Sequence, residues 1–201
     1  MRPLFAFIFL VLVFFQSPVA EDVGQLTARA IRENRADICE RAEESCYSND
    51  FETHCISASD NRFMCYREYA FAKNDSSICD KIRGEMGTGH PYRDVCFEHY
   101  AREKKEIGVC EKLKSTGRTN KILYADCIDS VQQLRGNYVL DECLKIKDLG
   151  EPYTFAKCIA GVARQTKDMS LCSRMFLEST IVDLWGDTLL KRCEKQAEVD
   201  K

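Results

Sequence analysis

Cys65-Tyr66-Arg67-Glu68-Tyr69-Ala70 is followed 31 residues later by Cys96-Phe97-Glu98-His99-Tyr100-Ala101. The same frame returns at Cys127-Ile128-Asp129-Ser130-Val131-Gln132 and at Cys158-Ile159-Ala160-Gly161-Val162-Ala163, again at steps of 31. With each cysteine taken as position 0, positions 0, 1, 4 and 5 are apolar apart from Gln132. Those positions share one face of an α-helix, so each stretch predicts a helix with its cysteine on the buried side. Arg67, Glu68, Lys73, Glu98 and Asp129 fall off that stripe and are expected in solvent.

A second cysteine set, Cys79, Cys110, Cys143 and Cys172, follows the first by 14, 14, 16 and 14 residues. Its surroundings predict a shorter helix. Ile82, Leu113, Ile146 and Met175 stand three residues after these cysteines, and Ile78, Val109 and Leu171 one before. Glu142 breaks the pattern in the copy that carries two extra residues, which predicts a distorted turn there. Asn74-Asp75-Ser76 and Asp168-Met169-Ser170 offer side-chain oxygens for unpaired first amides. Gly84, Gly117 and Gly150 suit the left-handed residues that end helices, and Pro91 and Pro152 suit the start of the next one. Asn34-Arg35-Ala36-Asp37-Ile38-Cys39 parallels Asn74 to Cys79 and marks an earlier copy. Such a unit cannot bury its apolar stripe alone but can by stacking on its neighbours. The expectation is an all-α, disulfide-stapled array of about five α-hairpin repeats with a 31-residue period, solenoid-like in form. The unit is shorter than a tetratricopeptide repeat and lacks that repeat's tryptophan, glycine and tyrosine pattern.

Residues 1–20 read as a secretory signal. Met1-Arg2 supplies a positive charge, Leu4 to Phe15 is apolar throughout, and Gln16-Ser17-Pro18-Val19-Ala20 leads into Glu21-Asp22, so cleavage is expected after Ala20. Twelve apolar residues span about 18 Å as a helix against a hydrocarbon core of about 30 Å, which disfavours a stable membrane anchor. Residues 21–201 are expected to form a single helical-repeat domain in the periplasm or outside the cell. Without Arg2 the chain carries 28 basic and 32 acidic residues, mildly acidic and well mixed, which argues against nucleic acid as a partner.

An even count of twelve cysteines behind a secretion signal reads as a disulfide framework. Two pairings compete within the repeat. Bonding Cys65 to Cys79 joins residues ten and four positions from the turn near Asp75, about 9 Å out of level. Cys79 and Cys96 each lie about five residues from the Gly-rich loop between them and are level. The expected bridges are therefore Cys79–Cys96, Cys110–Cys127, Cys143–Cys158 and Cys172–Cys193. The first copy implies Cys39–Cys65, whose longer spacing carries an insertion with its own nested pair, Cys46–Cys55.

The closest pair of cysteines, Cys39 and Cys46, is wider than the tight spacing of zinc ligands, and CxxC and CxxCH are absent. GxSxG, HExxH and phosphate loops are absent too, so the motifs imply no cofactor, no metal and no catalytic residue. His99 reads as a partly exposed helix residue, and His90 as a residue of a flexible loop. The loop from Phe176 to Trp185 is apolar, with Ile181, Val182 and Leu184, and holds the single tryptophan. It is expected to cap the open end of the stack; its other reading is an anchor for a partner, with Trp185, Phe176, Leu184 and His90 as candidate contacts. Asn74-Asp75-Ser76 also matches a glycosylation acceptor. The function expected is a protein–protein interaction module, an inhibitor or accessory subunit of an envelope or secreted complex. The alternatives are a secreted hydrolase with carboxylates gathered on the helical stack, and a metal-binding or thiol-redox protein.

Overall fold

The computed structural model describes residues 21–48, 52–113, 118–176 and 188–198. In chain order its α-helices are α1 (Val23–Glu33), α2 (Ala58–Lys73), α3 (Tyr92–Lys104), α4 (Ile107–Cys110), α5 (Arg118–Arg135), α6 (Leu140–Lys147), α7 (Pro152–Thr166), α8 (Ser170–Phe176) and α9 (Leu189–Glu198). Ala36–Arg41, Ser76–Lys81 and Glu111–Leu113 are 3₁₀ turns. The longer helices α1, α2, α3, α5, α7 and α9 pack each on the next. Between every two of them a short element, 3₁₀ or α, packs against both. The four apolar stripes read from the sequence are buried along their whole length, Cys65, Tyr66, Tyr69 and Ala70 in α2 and their counterparts in α3, α5 and α7.

Five bridges tie each short element to the long helix after it: Cys39–Cys65, Cys79–Cys96, Cys110–Cys127, Cys143–Cys158 and Cys172–Cys193, with Cα–Cα distances of 5.5–5.8 Å. The sixth, Cys46–Cys55, closes the insertion at a Cα–Cα distance of 4.1 Å. Four are the pairs that levelness across the loop selects, and Cys39–Cys65 and Cys46–Cys55 are those that the first copy and its insertion imply.

Helix ends recur with the same spacing. Asn74, Lys105, Gly136 and Lys167 all have positive φ, and each follows its predecessor by 31 residues. At Asn74, Lys105 and Lys167 the residue caps its helix by sending its backbone N–H to carbonyls of the last turn. Asn74 therefore ends α2 rather than starting the next element, and Asp75 is the residue that accepts from Ser77 N at 2.9 Å. Asp168 accepts from Ser170 N in the same way, at 3.1 Å. A cation just before the cap reaches back to the preceding long helix. Lys73 Nζ donates to Ile31 O at 2.9 Å, Lys104 Nζ to Phe71 O at 3.3 Å, and Arg135 Nε to Lys105 O at 2.7 Å. Carbonyls without a partner at a helix C-terminus, and the negative end of its dipole, both favour a cation there.

Four readings are corrected. The chain is mostly helical but not wholly so, because the insertion forms an antiparallel hairpin of β1 (Ser45–Ser48) and β2 (Thr53–Ile56) in register Ser45↔Ile56 to Ser48↔Thr53. Asn61, buried on α2, holds its base by donating to Glu43 O at 2.6 Å and to Ser45 Oγ at 3.0 Å. Second, a further long helix precedes the first cysteine and packs on α2: α1 buries Leu26 and Ala30 but has Gln25 where the other long helices have cysteine. Third, Glu98 and Asp129 are buried, at 8% and 2% exposure, because a neighbouring helix covers the position two residues after the cysteine. Fourth, the His90 loop is an ordered turn, with Met86 N donating to His90 O at 2.8 Å and Glu85 bridged to Pro91.

The copy with two extra residues is reorganised around Gln132. This side chain is 1% exposed; its amide nitrogen lies 3.1 Å from Cys158 Sγ, and its oxygen accepts from Val139 N at 2.5 Å. The displaced Tyr138 ring lies over Gly161, where a Cβ would come within 2.5 Å of the ring.

Candidate interaction face

Residues at positions 3, 6 and 7 of the frame lie beside the buried stripe, so successive long helices bring them onto one face. Between α1 and α2 this face holds an open groove of about 660 Å³. Val23, Ile31, Met64 and Phe71 give it an apolar floor, and the small Gly24, Ala28 and Ala72 leave its space unfilled. A second groove of about 560 Å³ adjoins it, lined by Phe71, His99, Arg102, Glu103, Lys105 and Leu134. Phe71 belongs to both. Its ring centroid lies 5.7 Å from that of Tyr100, so it is half-buried and firmly seated. Leu134 is an exposed apolar side chain at the far edge.

A polar network stands beside both grooves. Arg67 Nη2 lies 2.7 Å from Glu68 Oε1, and Arg67 Nη1 lies 3.5 Å from His99 Nδ1. His99 Nε2 is 3.5 Å from Glu98 Oε2, whose other oxygen accepts from Arg102 Nη1 at 3.0 Å. Burial holds the His99 imidazole below its usual pKa; the Glu98 carboxylate opposes that shift, and Arg67 and Arg102 add to it. The neutral ring then accepts from Arg67 at Nδ1 and carries its hydrogen on Nε2, facing Glu98. The Arg67 guanidinium also covers the Phe63 ring at 5.6 Å. Among the described residues, the polar contacts of His99 are to Arg67 and Glu98, so the imidazole serves as a fixed polar fitting between two helices.

The buried carboxylates are engaged in separate ion pairs. Asp94 pairs with Arg93 at 2.7 Å and accepts from Asn120 at 2.7 Å; Glu98 pairs with Arg102; Asp129 pairs with Lys157 at 2.5 Å. Glu44 lies near Cys46 and Cys55, but both sulfurs are used in their bridge.

Of the candidate contacts read from the sequence, Phe176 and His90 do not line these grooves. Phe176 is 4% exposed and meets Phe155 edge-on at 5.3 Å, so its ring is part of the core between α7 and α8. His90 is half-buried in its turn. Trp185 and Leu184, with Ile181 and Val182, lie outside the described residues. The face itself was not marked in the sequence, since Phe71, His99 and Leu134 occupy different frame positions and no motif links them. Among the described residues no helix is long and apolar enough to cross a membrane. No protein-family model, curated protein or solved structure matches the chain.

Proposed function

We propose that this chain is an exported protein-binding module, an inhibitor or accessory subunit, in which the helical pairs stack as a solenoid-like array with a 31-residue period. The partner lies along the face of α1, α2 and α3. The observation that carries this reading is the pair of adjoining grooves that share Phe71, apolar toward α1 and charged toward α3. A partner segment with apolar residues at one end and charged residues at the other matches that gradient. An apolar centre within a polar rim is the usual anatomy of a protein contact. The array reading is supported by helix caps at steps of 31 residues and by the cations that link α2, α3 and α5 to the long helix before. Residues 1–20 act as the export signal, and six bridges suit the oxidising compartment that export leads to.

Capture from the exported fraction tests the face. Leu134→Lys is expected to lower retention of the partner ~10-fold or more with the melting temperature near that of the parent, and Phe71→Glu to do so with a lower melting temperature but an intact helical signal. Met169→Glu, an exposed apolar position before α8, serves as the control and is expected to retain the partner fully. Equal retention by all three variants would contradict the proposal.

A further inference from the structure

Five of the six bridges are sealed. All ten of their cysteines have 0% exposure, so a reductant reaches them only after the helices separate. Cys46 and Cys55 differ: both are exposed, on a hairpin in which every residue of β1 is exposed and β2 is covered only in part at Ile56. Thiol–disulfide exchange requires a thiolate to reach a bridge sulfur, and exposed bridges are the labile ones. We propose that Cys46–Cys55 is a thiol–disulfide exchange site that a dithiol opens while the rest of the protein stays folded and bridged.

One thiolate of the dithiol attacks a bridge sulfur; the S–S electron pair passes to the other cysteine, which leaves as a thiolate and takes up a proton. The second thiol of the reductant, deprotonated, then attacks the mixed disulfide and releases the first cysteine. The net change is oxidation of the dithiol to its disulfide and reduction of the bridge to two thiols, with two electrons and two protons passing from the dithiol to the bridge. What remains in the hairpin is a four-pair ladder, the Tyr47–His54 ring stack at 5.4 Å and the Ser48–Thr53 hydroxyl contact at 2.9 Å. A two-stranded hairpin is marginal without further support, so the pairs Tyr47–His54 and Ser48–Thr53 open on reduction. Asn61 keeps the base attached to α2, which confines the change to the hairpin. The consequence is a redox-controlled projection carrying Tyr47, 58% exposed, at the edge of a rigid body.

The test is timed reduction of the native protein by dithiothreitol without denaturant, blocking with N-ethylmaleimide and peptide mapping. Label is expected first at Cys46 and Cys55, with that bridge opening ~100-fold or more faster than any other and helical circular dichroism unchanged. A Cys46→Ser/Cys55→Ser variant, which keeps the five core bridges, is expected to lack the fast phase. The proposal is overturned if another bridge opens at a comparable rate. It is equally overturned if Cys46–Cys55 survives until the helical signal is lost, or if the double variant keeps the fast phase.

Discussion

Asp129 shows how one residue couples charge to stability. Burial raises its carboxyl above the usual range, and Lys157 works against that shift. A carboxyl raised on folding binds its proton more readily in the native state, so ionising it costs stability. That cost is absent below the ordinary carboxylate range, grows as pH climbs through the raised value and is constant above it. Lys157→Met removes the compensating cation and is expected to cost about 1–3 kcal/mol at pH 7. The loss should shrink as pH falls through the raised value, where Asp129 takes up its proton. In an Asp129→Asn background the same substitution should cost no more than about 0.5 kcal/mol at any pH. Denaturant titrations across pH check both statements; a pH-independent loss would show that Lys157 acts by packing alone. Gly161 makes a second residue-scale case. Its missing Cβ is the space in which the Tyr138 ring lies. Gly161→Ala is expected to destabilise by about 1–3 kcal/mol, read as a lower melting temperature.

At the scale of elements, α1, α2, α3, α5 and α7 each end in a left-handed residue, and cations tie α2, α3 and α5 to the long helix before. Lys167 adopts φ of 56° where the preceding copy has Gly136 at 63°. A non-glycine residue there costs about 1–2 kcal/mol, partly offset by the entropy glycine loses on folding. Lys167→Gly is therefore expected to stabilise by about 0.5 kcal/mol, measurable by chemical denaturation. The same elements show what was legible in the sequence. The cysteine period and the apolar stripe identified α2, α3, α5 and α7, because a stripe repeated in register leaves few ways to bury it. The hairpin was missed because Ser45–Ser48 and Thr53–Ile56 are too short to display alternation, and the bridge between them does not by itself announce a strand pair. Helix α1 was missed because its frame lacks the cysteine that marked the others. Glu98 and Asp129 read as solvated charges because a single helix has a polar side, whereas a stacked helix has a neighbour on it. The grooves were not legible, since they arise from side chains of different helices with no common spacing.

Across the whole molecule, cohesion runs between neighbours: each long helix packs on the next, and five core bridges repeat the connection covalently. Cross-linking loops of this length restricts the unfolded chain by ~3 kcal/mol each in the chain-entropy picture, though the terms do not add. In the proposed function, bridges that hold the helices about the grooves would lower the ordering cost of binding. Phe71 is the side chain common to both grooves, so it reports on the proposed binding face most directly. A photoreactive benzoylphenylalanine introduced at position 71, with one at position 169 as the reference, is irradiated in intact exporting cells. The predicted result is an adduct with one partner protein from position 71 and none from position 169. An adduct from position 169 with none from position 71 would contradict partner binding across α1, α2 and α3.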